Sequence, residues 1–131
     1  MNKITIDLLE SFASPAQCEL FRATFPAGAE LTDESVRIAI DAGLDVRRLA
    51  RLVPEMHRAK FEMLCKPIDD EYWTRHKSID AEYWAKRKPL TNAEYRAKCR
   101  MLDDECHTQY KTNDDERTYK FGMLIIEFLS R

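Results

Sequence analysis

From residue 69 to residue 124 one eleven-residue unit is written five times: DDEYWTRHKSI, DAEYWAKRKPL, NAEYRAKCRML, DDECHTQYKTN and DDERTYKFGML. Thr91 is the single extra residue, between the second and third units. An acid or amide opens each unit, Glu stands third, a mostly aromatic residue fourth, and an aliphatic residue usually closes. Positions four, eight and eleven recur with steps of four, three and four, about 3.67 residues per turn, which is the period of a helical stripe and not of a strand. Each third-position Glu faces the seventh position one turn later. This predicts the pairs Glu71 with Arg75, Glu82 with Lys86, Glu94 with Lys98 and Glu116 with Lys120, each worth roughly 0.2–0.5 kcal/mol on an exposed helix. Glu105, facing Gln109, lacks its base.

Five units in one unbroken helix are excluded by two coincident faults. Pro89 removes a backbone donor and clashes with the carbonyl four residues back, and Thr91 rotates everything after it by about 100°. Thr91 and Glu94 also have capping-box spacing. The expectation is two long helices meeting near Lys88 to Thr91 and folded back as an antiparallel hairpin. Pro67, with Asp69 placed to cap a fresh helical start, predicts a kink or short interruption in the first.

At 131 residues and 44% hydrophobic, the chain can bury one modest core, and three Gly and five Pro leave little room for a loop-rich or all-β fold. A net charge of −2 argues against a generally basic nucleic-acid binder. No stretch approaches the roughly 20 apolar residues of a membrane span. Acids interrupt MNKITIDLLESF at once, so it does not read as a signal peptide, and a cytoplasmic protein without membrane contact is expected. Cys18, Cys65, Cys99 and Cys106 have no CxxC pairing, which favours reduced, mostly buried thiols over disulfides. Cys99 and Cys106 share a helix face beside His107, but no second pair has ligand spacing, so no metal is expected.

The first half reads as short helices. ITIDLLESF suits an amphipathic helix or a short extended lead. Ser14 and Pro15 then open PAQCELFRATF, with Cys18, Phe21 and Phe25 inward and Pro26 and Gly28 as its stop. Thr32 caps DESVRIAIDA, where Val36, Ala39 and Ile40 form the inner stripe, and Gly43 is placed to end it left-handed. Asp45 then caps VRRLARLV. Ala39, Gly43, Leu44, Leu49 and Leu52 fit a helix-turn-helix that presents Arg47, Arg48 and Arg51 to nucleic acid. They fit a plain αα corner with solvated arginines equally well.

After Pro54, Met56, Lys60 or Phe61, Leu64 and Ile68 begin a stripe that Tyr72, Ile79, Tyr83 and Leu90 continue, with His57 at its edge. Trp73 and Trp84 form a second aromatic row about 100° round the helix. They can pack on the N-terminal helices or anchor a partner, because aromatic residues dominate interface hot spots. The closing YKFGMLIIEFLSR reads as the last turns of the second long helix, since no convincing strand exists to pair with it. Phe121, Leu124, Ile125 and Phe128 then face the N-terminal helices, and Gly122 marks a bend or close contact.

No catalytic constellation is found. The three glycines are far apart, and neither an HExxH helix nor a nucleophile elbow is present. Carboxylates that recur with the repeat period are capping and solvating devices. A non-enzymatic protein without cofactors is expected.

Residues 25–53, FPAGAELTDESVRIAIDAGLDVRRLARLV, resemble a small helical module of uncharacterised phage and prophage proteins. DAEYWAKRKPL and NAEYRAKCRML are similar to the eleven-residue repeats that often accompany it. Cys106 and Arg117 depart from that pattern, standing where tyrosine is expected. The resemblance brings no activity. It implies a small accessory protein made inside an infected bacterium.

The expected protein is therefore all-α, with a short-helix module over 1–53 and a long hairpin over 54–131 forming one compact unit. It is expected to bind a host protein or complex through Tyr72, Trp73, Tyr83, Trp84 and Tyr95, as an inhibitor of a defence or regulatory assembly. The competing readings are a nucleic-acid binder using Arg47, Arg48 and Arg51, and a self-associating structural protein that forms a homodimer.

Overall fold

A computed structural model of the chain describes residues 1–88 and 92–131, without the side chains of residues 92–94 and 96. The turn and capping box expected around Lys88 to Thr91, and the Glu94 to Lys98 pair, lie outside those described residues. The fold is all-α apart from one two-residue ladder. β1 (Lys3–Ile4) is followed by α1 (Ile6–Glu10), α2 (Pro15–Thr24), β2 (Ala29–Glu30), α3 (Asp33–Asp41), a 3-10 helix (Val46–Leu52), α4 (Glu55–Arg87) and α5 (Asn92–Leu129). β1 and β2 pair antiparallel, Lys3 against Glu30 and Ile4 against Ala29. The long helices α4 and α5 pack against each other.

The described residues form two compact units, one of residues 1–66 with 118–131 and one of residues 67–117. The first holds the apolar core. Ser14 caps α2 by accepting from the Gln17 amide, and Cys18 and Phe21 point inward. Thr32 caps α3 by accepting from the Ser35 amide, burying Val36 and Ala39. Ile4, Leu9, Phe61, Ile125, Phe128 and Leu129 complete the core, where Phe61 and Phe128 meet edge to face with centroids 5.5 Å apart. The ITIDLLESF segment is both an extended lead and a helix. The closing apolar stretch is helical to Leu129, as its periodicity predicts. Gly122 marks a close contact: a Cβ there would lie 2.7 Å from a Val36 methyl and 3.0 Å from a Val46 methyl.

Two expectations are corrected. The segment after Gly43 is a 3-10 helix of seven residues and not an α-helix, and Asp45 supplies no side-chain cap. The Asp45 amide instead donates to Gln17 Oε1 at 2.9 Å, and its carboxylate meets Arg48 at 3.2 Å. Pro54 comes directly afterwards and holds Val53 extended (ψ 124°), so the segment has no room to lengthen. Gly43 does take the left-handed turn, at φ +84°. The second correction concerns the short interruption expected as one of two outcomes at Pro67: α4 continues through that residue. Pro67 is exposed, so the Met63 carbonyl that it deprives of a donor sits on a wetted side, where water can replace the lost bond.

The second unit pairs the α4 residues from 67 onward with the α5 residues up to 117, and the eleven-residue period appears directly in its burial. The buried and partly buried positions include Tyr72, His76, Ile79, Tyr83 and Arg87 on α4, and Cys99, Leu102, Cys106, Tyr110, Asn113 and Arg117 on α5. These are the fourth, eighth and eleventh positions of successive units. The chemistry of the seam is unusual for a helix pair, because much of it is polar.

Candidate partner-binding surface

That polar seam fixes the aromatic residues around it. Arg117, with a side chain only 13% exposed, stacks on Tyr72 at 3.7 Å from the ring centre and pairs with Asp114 at 3.3 Å and Asp69 at 3.5 Å. Asn113 is buried and donates to the Tyr72 carbonyl at 3.1 Å. Arg87 donates to the hydroxyls of Tyr83 at 2.9 Å and Tyr95 at 2.6 Å, and Tyr83 in turn donates to Asp103. The bond to Asp103 holds the Tyr83 hydroxyl above the usual phenol range, because it favours the neutral form. Tyr95 stabilises the Arg87 cation by hydrogen bonding, raising its pKa. His76 lies 4.7 Å from Tyr110 and 5.8 Å from Tyr72, centroid to centroid. Among the described residues its Nδ1 and Arg117 Nε are buried atoms without a hydrogen-bond partner.

The Glu71 and Glu82 pairs are formed and also extended across the hairpin. Glu71 and Arg75 meet at 3.0 Å, and Arg75 also reaches Glu116. Lys86 lies 3.0 Å from Glu82 and 3.2 Å from Glu105, so the acid that lacks a base in its own unit finds one on the other helix. Its two carboxylates, Glu82 first, raise the Lys86 pKa.

With Tyr72 and Tyr83 half-buried in the seam, Trp73 and Trp84 stand outside it, 52% and 59% exposed, on one flank of α4. Each indole is held edge-on by the preceding tyrosine. The centroid distances are 5.1 Å for Tyr72–Trp73 and 5.4 Å for Tyr83–Trp84, with interplanar angles of 77° and 74°. A residue one turn on backs each of them: His76 lies 5.4 Å from Trp73, and the Arg87 guanidinium lies 5.3 Å from Trp84. The same three-residue device is thus built twice, eleven residues or about 16.5 Å apart along the helix. Tyr95 is 37% exposed near the same cluster through Arg87. The five aromatic candidates therefore divide into two exposed indoles, two seam tyrosines and one bridging tyrosine.

The sequence alone places charged repeat residues at the rim of this surface without singling out which ones. Asp70, Lys77, Ala81 and Lys88 are all exposed and line up with the tryptophans along α4 in the order Asp70, Trp73, Lys77, Ala81, Trp84, Lys88. Lys77 and Lys88 both occupy the ninth position of their units, a recurrence visible in the repeat alignment itself.

Elsewhere, Arg47, Arg48 and Arg51 lie together on the 3-10 helix, exposed. Arg48 is tied to Asp45 and donates to the Phe12 carbonyl at 3.5 Å. Among the described residues no group of three His, Cys, Asp or Glu side chains is placed to hold a metal ion. No described helix is long and apolar enough to cross a membrane. Among the described residues none of the four cysteines forms a disulfide. Burial, and then the nearby Asp80, Asp103 and Glu105, push the Cys106 thiol up, the reverse of what an activated thiolate needs. Comparison with known proteins finds no matching family, no matching curated protein and no matching solved structure.

Proposed function

We propose that the chain is a non-catalytic protein-binding module whose contact surface is the tryptophan flank of α4. The observation that carries this reading is the pair of exposed indoles, each packed against a tyrosine and a second ring or cation. A free surface rarely exposes two large rings in register without use. Large rings with few rotatable bonds and packed neighbours lose less entropy on binding than flexible side chains, one reason Trp and Tyr are hot-spot residues. The resemblance to phage and prophage modules supplies the context: a product made inside a host cell and acting on a host defence or regulatory complex. Affinity capture of the tagged chain from bacterial lysate, before and after nuclease treatment, tests the reading. A nuclease-resistant protein partner lost in a Trp73→Ala/Trp84→Ala variant supports it. Unchanged capture by that variant refutes it.

A second reading, nucleic-acid binding by the 3-10 segment, is favoured by Arg47 and Arg51, exposed and without ion pairs among the described residues. It is weakened by the same segment's form, since seven residues of 3-10 helix do not offer the continuous α-helical face that enters a major groove. Nuclease-sensitive capture abolished by Arg47→Ala/Arg51→Ala would favour it over the first.

A further inference from the structure

We infer that the partner seated on the tryptophan flank of α4 is a second copy of this chain, lying antiparallel across a two-fold axis near residues 78 and 79. The inference rests on reading that flank as a binding surface and adds the identity of its occupant. Reversed against itself, the row Asp70, Trp73, Lys77, Ala81, Trp84, Lys88 is self-complementary. Asp70 comes opposite Lys88 of the other copy, Trp73 opposite Trp84, and Lys77 opposite Ala81 and beside Asp80. None of Asp70, Lys77 and Lys88 has an ion-pair partner among the described residues, whereas the neighbouring Glu71, Arg75, Glu82 and Lys86 are satisfied within the chain. Of these unpaired charges, Asp70 and Lys88 match each other in reverse, and Lys77 meets no like charge. A parallel arrangement instead sets Lys77 on Lys77, Lys88 on Lys88 and Asp70 on Asp70, each a repulsive contact.

The period supports the same geometry. Eleven residues are close to three full turns of an α-helix, so Trp73 and Trp84 differ by only about 20° in direction and the row from Asp70 to Lys88 stays on one flank. Two such flanks can run side by side along their whole length. The result is an isologous two-fold interface, in which each contact occurs twice. It sets four indoles along the seam, between two pairs of opposite charges.

Sedimentation velocity over a concentration series tests this, with circular dichroism to confirm that each variant keeps its helix content. The wild-type chain should sediment at twice its monomer mass of 15.4 kDa. Trp84→Ala should be monomeric. Lys88→Asp should weaken the dimer at least about tenfold, since it sets two carboxylates against each other at both ends. The exchange variant Lys88→Asp/Asp70→Lys should restore it. A wild-type chain that stays monomeric, a dimer indifferent to Trp84→Ala, or a charge exchange that fails to rescue overturns the inference. A monomer that still captures a protein through Trp73 and Trp84 leaves the protein-binding reading standing and removes only the second copy. A rescued dimer that captures nothing else upholds the self-pairing and removes the foreign partner.

Discussion

The two units are built on opposite principles. Around Phe128 the chain buries Ile4, Leu9, Phe21, Phe61 and Ile125 and fills the space with apolar side chains. Around Asn113 it fits Tyr72, His76, Arg87 and Arg117 into a helix seam, held by hydrogen bonds, stacked rings and ion pairs. Apolar burial is insensitive to direction and contributes stability in proportion to area. A polar seam contributes less, but it admits few alternative registers, because a slip strands charged and hydrogen-bonding groups together. The first unit is built for stability. The second is built for register.

The largest effect should come from emptying the apolar core. Phe128, 1% exposed, touches Phe61 and His57, and Phe128→Ala should cost about 3–5 kcal/mol in urea denaturation. A loss below about 1 kcal/mol would remove the distinction between the units. Next is Gly122→Ala. The new methyl gains about 1 kcal/mol of helix propensity but meets Val36 and Val46 at 2.7 and 3.0 Å, where overpacking costs about 1–3 kcal/mol. A lowered Tm is expected, and a raised one would show that the two valines yield.

A contrasting substitution in the seam sharpens the comparison. Asn113→Leu removes a donor to the Tyr72 carbonyl, which keeps its own helical partner, and adds apolar area at a buried position. It should be neutral or stabilise by up to about 1 kcal/mol, while hydrogen exchange within residues 67–117 becomes less uniform as register is relaxed. A loss above about 2 kcal/mol would mean that the polar seam itself carries stability comparable to an apolar core.

The smallest effects are those of pH. Tyr83 donates to Asp103 and Tyr119 to Asp33, and these bonds raise both phenol pKa values. A raised folded pKa means that the contribution is complete below the ordinary phenol value and is lost as pH climbs through the folded one, so both units should weaken slightly above pH 10. Asp33, lowered chiefly by the Tyr119 bond, works at the other end. Its contribution is present above the ordinary carboxyl value and disappears as pH falls through the lowered one. Tyr83→Phe and Tyr119→Phe should each flatten the alkaline limb, as monitored by thermal melts across pH.

Most of the architecture was legible because it is periodic. Steps of four, three and four identified the inward positions on both long helices, and the caps at Ser14 and Thr32 were readable as local chemistry. The 3-10 form of residues 46–52 was not, since Asp45 looks like a cap until Gln17, twenty-eight residues earlier, is seen to take its amide proton. That α4 continues through Pro67 was not legible for a related reason: a proline's effect depends on whether the freed carbonyl meets water, which is a property of the assembled face. At the surface, the sequence identified both tryptophans but left open whether they were core or contact. Burial is a relation between segments, and neighbouring letters do not record it. The lysine recurrence at Lys77 and Lys88 was visible all along, but it took exposure to make it informative.

The closeness of the eleven-residue unit to the helix's own pitch also bears on how such a chain can change over generations. Duplicating or deleting one unit alters the length of an arm by about 16.5 Å while turning its faces by only about 20°. Growth by copying therefore adds one more Tyr–Trp device in line with those already present, without rephasing the rest. A nine-residue or ten-residue insertion has no such freedom, since it turns the following faces by about 180° or about 80°. The repeat makes the length of the binding row, and with it the number of anchors, a quantity that copying errors alone can adjust.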